Sequence, residues 1–147
     1  MAGFTKKDYE FFDMARRAAL NSDFKGTHLG TVIVYKGRIV STGYNSKKTH
    51  VVQKKYNQKY RTFNKSDKPI RDSLHAEISA LVAIPKCVEN NIDYSKCKIY
   101  IYRVCSGKRL KMGLAYPCSA CLKAIEDKGI RKIYYTTDSG FAMEERF

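Results

Sequence analysis

Two short motifs constrain this chain more than any other feature of its sequence. "HAE" occupies residues 75–77 and "PCSAC" occupies residues 117–121. Each stands at the beginning of a predicted helix, and 43 residues separate His75 from Cys118, enough for the rest of one helix and one strand. The spacing therefore predicts a fold in which two helices begin side by side and bring an imidazole and two thiols together.

The C-x-x-C pair alone would also fit two chance buried cysteines or a redox dithiol. The histidine makes a metal site the better explanation of the cysteine pair. In addition, helix N-termini lower the pKa values of thiols, so cysteines there are ready metal ligands. Two thiolates and a neutral imidazole balance the charge of Zn²⁺, and three protein ligands leave the fourth tetrahedral position to water. We therefore predict one Zn²⁺ per chain, bound by His75, Cys118 and Cys121.

Glu77 follows His75 by two residues, an offset of about 200° around a helix, so it need not be a fourth ligand. In the first helical turn its carboxylate can approach the metal-bound water, accept a proton and pass it to a departing amine. Position 81 is leucine, so Glu77 lacks the ion-pair partner that would explain an ordinary exposed helix carboxylate. We predict that Glu77 is the catalytic residue.

A closed structural zinc site is the alternative to a catalytic one. If Cys105 were a fourth ligand, no water could bind, and Glu77 would have no purpose. Cys87 and Cys97 are predicted to be ordinary buried thiols. The five cysteines form an odd set without the spacing of a disulfide framework, which is typical of a reducing compartment.

H-x-E and P-C-x-x-C together form the signature of zinc-dependent nucleobase deaminases, in which water attacks C4 of cytosine or C6 of adenine. "HAEISAL" and "PCSAC" resemble the zinc site of the cytidine deaminase-like superfamily. "IVSTGYN" is similar to the corresponding segment of its deoxycytidylate and tRNA-adenosine deaminase branches. The resemblance covers residues 30–46, 72–84 and 97–135 and implies the same zinc ligands and the same role for Glu77.

The resemblance also implies substrate contacts. Asn45 matches the family asparagine that contacts the sugar or base, and the backbone of Ala76 would meet the pyrimidine ring or its carbonyl. The residues themselves leave a second role open for Asn45, because asparagine commonly forms turns.

The order of predicted elements is α-β-β-α-β-α-β, which favours a single α/β domain over residues 1–147 with helices packed on a sheet. The residues predict four strands, and the resemblance implies a three-layer α-β-α fold with about five strands, the fifth near residues 140–147. The predicted elements are a helix over 5–20, a hairpin over 30–45 turning at Lys36-Gly37, a helix capped by Asp72 or Ser73 and stopped by Pro85, a strand over 98–104, a helix from the cysteines to Gly129, and a strand over 131–137.

A basic insertion at residues 47–71 interrupts this pattern. It carries nine Lys or Arg residues against one acid, in a chain with a net charge of +14, which favours a phosphate-bearing partner over a merely solubilising surface. Its aromatic residues would either seal it onto the sheet or stack on bases. The predicted phosphate or nucleic-acid contacts are Lys47, Lys48, Lys54, Lys55, Lys59 and Arg61.

Two substrate classes fit these features. A free cytosine nucleotide such as deoxycytidylate is favoured by "STGYN" and the compact size, and it needs only one or two basic residues near Asn45. Cytosine or adenine within single-stranded DNA or RNA would explain the basic, aromatic insertion. Against the first class, Ser46 replaces the usual glycine, and the insertion offers His50 but no cysteine for a second zinc. A third alternative is a non-catalytic zinc-containing module that binds nucleic acid.

The chain lacks an apolar run of the ~20 residues that a membrane span needs, and its first residues are too polar for a secretory signal. We therefore expect a cytoplasmic protein without a membrane partner. The resemblance implies homo-oligomers, from dimers to hexamers, although the sequence identifies no surface for such contacts.

Overall fold

The structure, a computed structural model, describes residues 3–24, 26–61, 72–105 and 111–146. Its centre is a mixed sheet with the strand order β2-β1-β5-β7-β8, and the short β6 pairs with β5. The elements are α1 (Lys6–Ala19), β1 (Thr27–Tyr35), β2 (Arg38–Tyr44), β3 (Ser46–Thr49), α2 (Val51–Tyr60), β4 (Ser73–Leu74), α3 (Ala76–Val82), α4 (Lys86–Glu89), a 3-10 turn (Tyr94–Lys96), β5 (Cys97–Cys105), β6 (Lys111–Gly113), α5 (Ser119–Lys128), β7 (Lys132–Thr137) and β8 (Gly140–Glu145).

The strands run in both directions. β1 is antiparallel to its neighbours β2 and β5, β5 is parallel to β7, and β7 is antiparallel to β8. The β1–β2 hairpin turns at Lys36 and Gly37, which both have positive φ, as a tight two-residue turn requires. The crossover from β5 to β7 contains α5, the usual connection between parallel strands.

Helix α1 covers one face of the sheet. Phe12 and Ala15 of this helix pack with Val32 and Tyr100 in an apolar cluster that also contains Val34 and Tyr134. The helix lies so close to β1 that a Cβ added to Gly30 would stand 1.9 Å from the carbonyl oxygen of Ala15. Glycine at position 30 therefore permits the close approach of α1.

Helices α3 and α5 cover the opposite face. Ala80 of α3 and Ile125 of α5 pack with Ile33, Ile99 and Ile133 of the sheet. Gly43 of β2 permits the close approach of α3 in the same way, since an added Cβ would stand 2.4 Å from the backbone nitrogen of Ala80. The result is the predicted three-layer α-β-α arrangement.

Most predicted elements are confirmed, including the strand near the chain end, which is β8 (Gly140–Glu145). The predicted start of the second central helix is wrong. Residues Ser73–Leu74 form a short strand that pairs with Ser46–Thr49, and α3 begins at Ala76, with His75 as its N-cap. Asp72 is not the cap, because its carboxylate accepts a hydrogen bond from Asn57.

Part of the basic insertion is also regular structure. Residues 46–61 form β3 and α2, and α2 packs against α5. Tyr56 donates a hydrogen bond to Asp127, and Ser119 donates one to the carbonyl oxygen of Tyr60. Thus Tyr56 helps to hold α2 against helix α5, rather than against the sheet as one of the two predicted roles required. The rest of the insertion, residues 62–71, lies outside the described residues.

Among the described residues, no helix is both long and apolar enough to cross a membrane.

Candidate metal centre and active site

The three predicted zinc ligands lie at the beginnings of two adjacent helices. His75 is the N-cap of α3, and Cys118 is the N-cap of α5, with Cys121 in the first turn that follows. Neither N-cap side chain makes a capping hydrogen bond to its own helix. Both side chains are therefore free to face each other across the junction of the two helices.

The ligand atoms are close enough to share one ion. Nδ1 of His75 lies 3.6 Å from Sγ of Cys118 and 3.3 Å from Sγ of Cys121. All three ligand atoms lie within 4.8 Å of one another. In a tetrahedral zinc site, bond lengths of ~2.3 Å to sulfur and ~2.0–2.1 Å to nitrogen place sulfur and nitrogen about 3.5 Å apart. The observed separations therefore fit zinc.

The three side chains do not have the same acidity. A hydrogen bond with Cys121, aided by the nearby His75, lowers the pKa of Cys118 to about 4 against the cost of burial. Burial raises the pKa of Cys121 well above its ordinary value. Burial also disfavours protonation of His75, but the adjacent Cys118 and Glu77 outweigh it and raise the His75 pKa. Of the two thiols, Cys118 is thus the one that ionises more readily.

Glu77 lies beside these ligands and is buried. Only 4% of its surface is exposed, and its Oε1 atom is buried without a hydrogen-bond partner among the described residues. Burial raises the pKa of this carboxyl group, and the charges of His75 and Cys118 also act on it. An unpaired carboxylate oxygen is costly to bury. Its presence here indicates that Glu77 gains a hydrogen-bond partner when the site binds its metal and substrate.

The fourth-ligand alternative is not supported. Among the described residues, only His75, Cys118 and Cys121 form a group of three or more potential metal ligands. Cys105 lies at the end of β5, where its sulfur faces Gly113. All five cysteines are free, and Cys97 is buried as predicted. Cys87 is exposed rather than buried, because it lies on the short surface helix α4.

The two residues predicted to contact substrate lie on segments next to His75: Ala76 follows it in the chain, and Asn45 precedes Ser46, which pairs with Leu74. Ala76 is buried in the first turn of α3. Asn45 follows β2 and is also buried, and its side chain is bonded to β1: Oδ1 accepts from the Leu29 N–H at 2.9 Å, and Nδ2 donates to the Thr27 carbonyl at 3.1 Å. Asn45 therefore ties the end of β2 to the beginning of β1, and its contact with substrate stays a prediction.

The predicted basic contacts divide into two groups. Arg61, the C-cap of α2, is half-buried and close enough to His75 for its charge to disfavour protonation of the imidazole. The other five are exposed on β3 and α2, and none makes an ion pair with another described residue: Lys47, Lys48, Lys54, Lys55 and Lys59.

A buried polar residue that was not predicted from the sequence contacts the backbone of His75. Gln53 of α2 is fully buried, and its Oε1 accepts a hydrogen bond from the backbone N–H of His75 at 3.0 Å. The available signal was its position in α2: Gln53 and Asn57 are four residues apart and so share one face of that helix. That face is polar, and a polar stripe does not stand out in a search for apolar periodicity.

Comparison with known proteins places this geometry in context. The model of the family described as "Cytidine and deoxycytidylate deaminase zinc-binding region" matches residues 5–137. Comparison with curated protein sequences gives no match.

Solved structures share the fold. The apo dCMP deaminase from the cyanophage S-TIM5 is 19% identical, with 92% of this chain and 86% of that chain covered and a TM-score of 0.51. The same enzyme in complex with dCMP and dUMP is 20% identical over 92% and 85% of the chains, also with a TM-score of 0.51. Cytidine deaminase from Burkholderia pseudomallei is 15% identical over 97% and 93%, with a TM-score of 0.56.

Proposed function

The chain belongs to the cytidine and deoxycytidylate deaminase family that is defined by its zinc-binding region, and from this premise we propose that it is a zinc-dependent hydrolytic deaminase of a cytosine nucleotide such as deoxycytidylate. The reaction converts the cytosine base to uracil and releases ammonia. His75, Cys118 and Cys121 would hold the zinc ion, one per chain, and Glu77 would be the catalytic residue.

The buried carboxylate of Glu77 is the observation that carries this proposal. A zinc ion that only braced the fold would need its ligands and no further acid. Instead, a carboxylate oxygen without a partner among the described residues is buried next to the three ligands. Burying such a group costs free energy, so a structural role does not account for it. A proton carrier at a hydrolytic centre does.

The chemistry divides between the metal and the chain. Zinc, when bound, supplies a Lewis acid that lowers the pKa of water and makes it a nucleophile near neutral pH. The Glu77 carboxylate would accept one proton from the attacking water and deliver it to N3 of the base as the water oxygen bonds to C4. It would then carry the second proton of that oxygen to the amino group, so that the C4–N bond breaks, ammonia leaves and uracil with its C4 carbonyl remains. One water is consumed for each ammonia released.

Three ligands fix the position of the reacting centre relative to Glu77. His75 and Glu77 are two residues apart on one backbone, and the start of α5 holds Cys118 and Cys121. These helices pack on the same face of the sheet, so the carboxylate is held beside the ligand atoms before substrate arrives. Such preorganisation lowers the cost of bringing the proton carrier to the reacting group.

A nucleotide substrate is supported by the charge near the centre. Arg61 places one guanidinium close to His75, and Lys47 and Lys48 of β3 lie two and three residues after Asn45. One or two such cations suffice for a single phosphate. The cyanophage dCMP deaminase, whose fold this chain shares, has been solved with dCMP and dUMP.

A second candidate is deamination of a base within single-stranded DNA or RNA. The supporting observation is the outer surface of α2, where Lys54, Lys55 and Lys59 are exposed and form no ion pair with described residues. Unpaired lysines spread along an exposed helix can follow a phosphate backbone, whereas a mononucleotide needs fewer of them.

The deciding experiment measures ammonia release from deoxycytidylate, deoxycytidine and a cytosine-containing single-stranded oligonucleotide in parallel. We expect zinc-loaded protein to deaminate deoxycytidylate best and deoxycytidine more weakly, because the nucleoside lacks the phosphate. Faster turnover of the oligonucleotide would favour the second candidate. No ammonia from any cytosine or adenine substrate, with zinc bound, would refute deaminase activity and leave the non-catalytic module.

A further inference from the structure

The inner face of helix α2 is polar although it is buried. Gln53 is 0% exposed and Asn57 is nearly as buried, one helical turn further along. Burying two carboxamides costs several kcal/mol by order of magnitude unless hydrogen bonds replace those to water. The partners of these side chains therefore explain why α2 carries them.

The hydrogen bonds run in a chain from the metal centre through α2. The backbone N–H of His75 donates to Oε1 of Gln53 at 3.0 Å. Nε2 of Gln53 donates to Oδ1 of Asn57 at 2.9 Å. Nδ2 of Asn57 donates to Oδ1 of Asp72 at 3.2 Å. Helix α2 thus holds the segment that leads into α3 at two points, Asp72 and His75.

The N–H of His75 needs a partner from outside its own helix. His75 is the N-cap of α3, and the first N–H groups of a helix have no intrahelical acceptor. In many helices a Gln or Glu at the third helical position accepts from the N-cap N–H. Here that position is Ile78, which cannot accept, and Gln53 supplies the missing side-chain oxygen from α2.

The imidazole depends on this contact for its placement. The His75 carbonyl oxygen accepts from the Ser79 N–H of α3 at 2.9 Å, but no side chain of α3 holds the His75 N–H, which donates to Gln53 instead. Rotation of that backbone would move Nδ1 away from Sγ of Cys118 and Sγ of Cys121, which now lie 3.6 and 3.3 Å away. Groups that orient ligands in this way typically change metal affinity by ~10–100-fold when they are removed.

We propose that Gln53, supported by Asn57, is a positioning residue of the metal centre, holding the backbone of His75 so that its imidazole faces the two thiols. This inference rests on the proposed metal site, and it does not depend on which base is deaminated. It also gives the start of the basic insertion a structural task, independent of any role of its lysines in binding phosphate.

Metal binding by Gln53→Met and Gln58→Met tests the proposal. Both variants replace a glutamine of α2 with methionine. Gln58 is exposed, so Gln58→Met serves as the matched control. Zn²⁺ affinity is measured by chelator competition, and Co²⁺ alone, without substrate, reports the thiolate and imidazole ligands by its visible absorption. We expect Gln53→Met to weaken Zn²⁺ binding by ~10-fold or more and to alter the Co²⁺ spectrum, and Gln58→Met to match the parent.

Rescue separates positioning from general stability. Gln53→Glu keeps an oxygen that accepts from the His75 N–H, so it should bind Zn²⁺ more tightly than Gln53→Met. A Gln53→Met protein that is less stable but has the parent's Zn²⁺ affinity and Co²⁺ spectrum would overturn the proposal.

If Gln53→Met does not fold, Asn57→Ala decides the question, because it removes the support of Gln53 without touching His75. We then expect a smaller loss of Zn²⁺ affinity, about 2- to 10-fold, and unchanged affinity would overturn the proposal. Failure of the parent itself to bind Zn²⁺ or Co²⁺ would instead refute the metal site, so the two failures can be told apart.

Discussion

At the scale of single residues, the proposed chemistry depends on Glu77, the buried carboxyl group beside the ligand atoms. Glu77→Gln removes the proton carrier while keeping the size of the side chain, and general acid–base groups contribute ~10²–10⁴-fold to rates. We expect the turnover of the preferred cytosine substrate to fall by at least ~10²-fold, with the zinc content unchanged, because Glu77 is not among the three ligands. Ammonia release and metal analysis on the same preparation check this. Full activity in a zinc-loaded variant would rule out the proposed proton transfer.

Asn45 ties the end of β2 to the beginning of β1. Its side chain satisfies the Leu29 N–H and the Thr27 carbonyl, so Asn45→Ala leaves both groups without it. Two lost hydrogen bonds predict a fall of ~1–3 kcal/mol in the free energy of unfolding, measured with urea. Thr42→Ala, at an exposed position of the same strand, is the control and should cost much less. A loss of substrate affinity without a loss of stability would instead indicate that Asn45 acts through the substrate alone.

The sequence was sufficient to predict that His75, Cys118 and Cys121 lie together, but it did not reveal the residue behind them. H-x-E and C-x-x-C report their chemistry through local spacing, because each motif lies in one helical turn. Gln53 reaches His75 only after α2 has packed against α3 and α5, a contact across 22 positions of the chain. The burial of Cys87 was predicted wrongly for a related reason, since the residue type favours burial and the short surface helix overrides it.

Two glycines set the distances between layers at the scale of elements. Gly43→Ala would place a Cβ 2.4 Å from a backbone atom of α3, and Gly30→Ala would place one 1.9 Å from a backbone atom of α1. Neither backbone can yield cheaply, so we expect each variant to lose ~1–3 kcal/mol of stability or more. Only α3 carries His75 and Glu77, so only Gly43→Ala should also weaken Zn²⁺ binding.

Thermal unfolding and Zn²⁺ affinity of the two variants, measured side by side, check this contrast. Gly3→Ala is the control, because an added Cβ there meets nothing within 4 Å. Equal loss of Zn²⁺ affinity in Gly30→Ala and Gly43→Ala would mean that both layers, rather than α3 alone, determine the geometry of the metal centre.

Helix α1 is tied to the sheet by a buried hydrogen bond. The Tyr100 hydroxyl donates to the Asp8 carboxylate at 2.6 Å. Burial alone would raise the pKa of Asp8, but the bonds from Tyr100 and Thr5 outweigh it and lower the pKa below its ordinary value of 3.8. Because the pKa of Asp8 is lowered in the folded state, its ionised form stabilises the protein at pH values above 3.8. This stabilisation is lost as the pH falls through the lowered pKa.

Tyr100→Phe removes this bond with little change in shape. Hydrogen bonds to charged groups contribute ~1.5–3 kcal/mol, so we expect a loss of that order in the free energy of unfolding at pH 7. The difference between variant and parent should shrink as the pH falls below 3.8, through the lowered pKa at which Asp8 becomes protonated in the folded parent. Urea unfolding at pH 7, 5 and 3.5 checks the sign. A difference that is constant with pH would mean that the charge of Asp8 plays no part.

The elements that were not predicted from the sequence depend on tertiary contacts, which local sequence patterns do not report. The short strands β3 (Ser46–Thr49) and β4 (Ser73–Leu74) exist only because they pair with each other. That pairing keeps the backbone extended up to His75, so α3 begins only at Ala76. The tendency of Asp72 and Ser73 to cap a helix is therefore overridden. The central strands were predictable because their β-branched and aromatic runs fill two buried faces.

Positive charge is the dominant property at the scale of the whole molecule, with a net charge of +14. Its location matters more than its amount. Lys54, Lys55 and Lys59 lie on the outer surface of α2, whose inner side contacts His75 through Gln53. This basic surface therefore adjoins the metal centre. Arg38, Lys96 and Arg131 lie at the other end of the sheet, where β1 ends opposite the start of β5.

Replacing each of these two sets of cations in turn distinguishes a polymer substrate from a mononucleotide substrate. If single-stranded nucleic acid is the substrate, replacing Lys54, Lys55 and Lys59 with glutamine should weaken oligonucleotide turnover. It should also reduce the slope of log KM against log salt by up to about 2, at ~0.7 for each lost phosphate contact. Deoxycytidylate turnover should change little, because a single phosphate needs fewer cations.

Arg38, Lys96 and Arg131 replaced with glutamine form the control, since they remove the same charge at the far end of the sheet. Equal effects of both triple variants would mean that net charge alone attracts the oligonucleotide. An oligonucleotide salt dependence that neither variant alters would exclude the α2 surface as a binding site. The exposed lysines of α2 would then be a solvated face, and this result would favour the proposed nucleotide substrate.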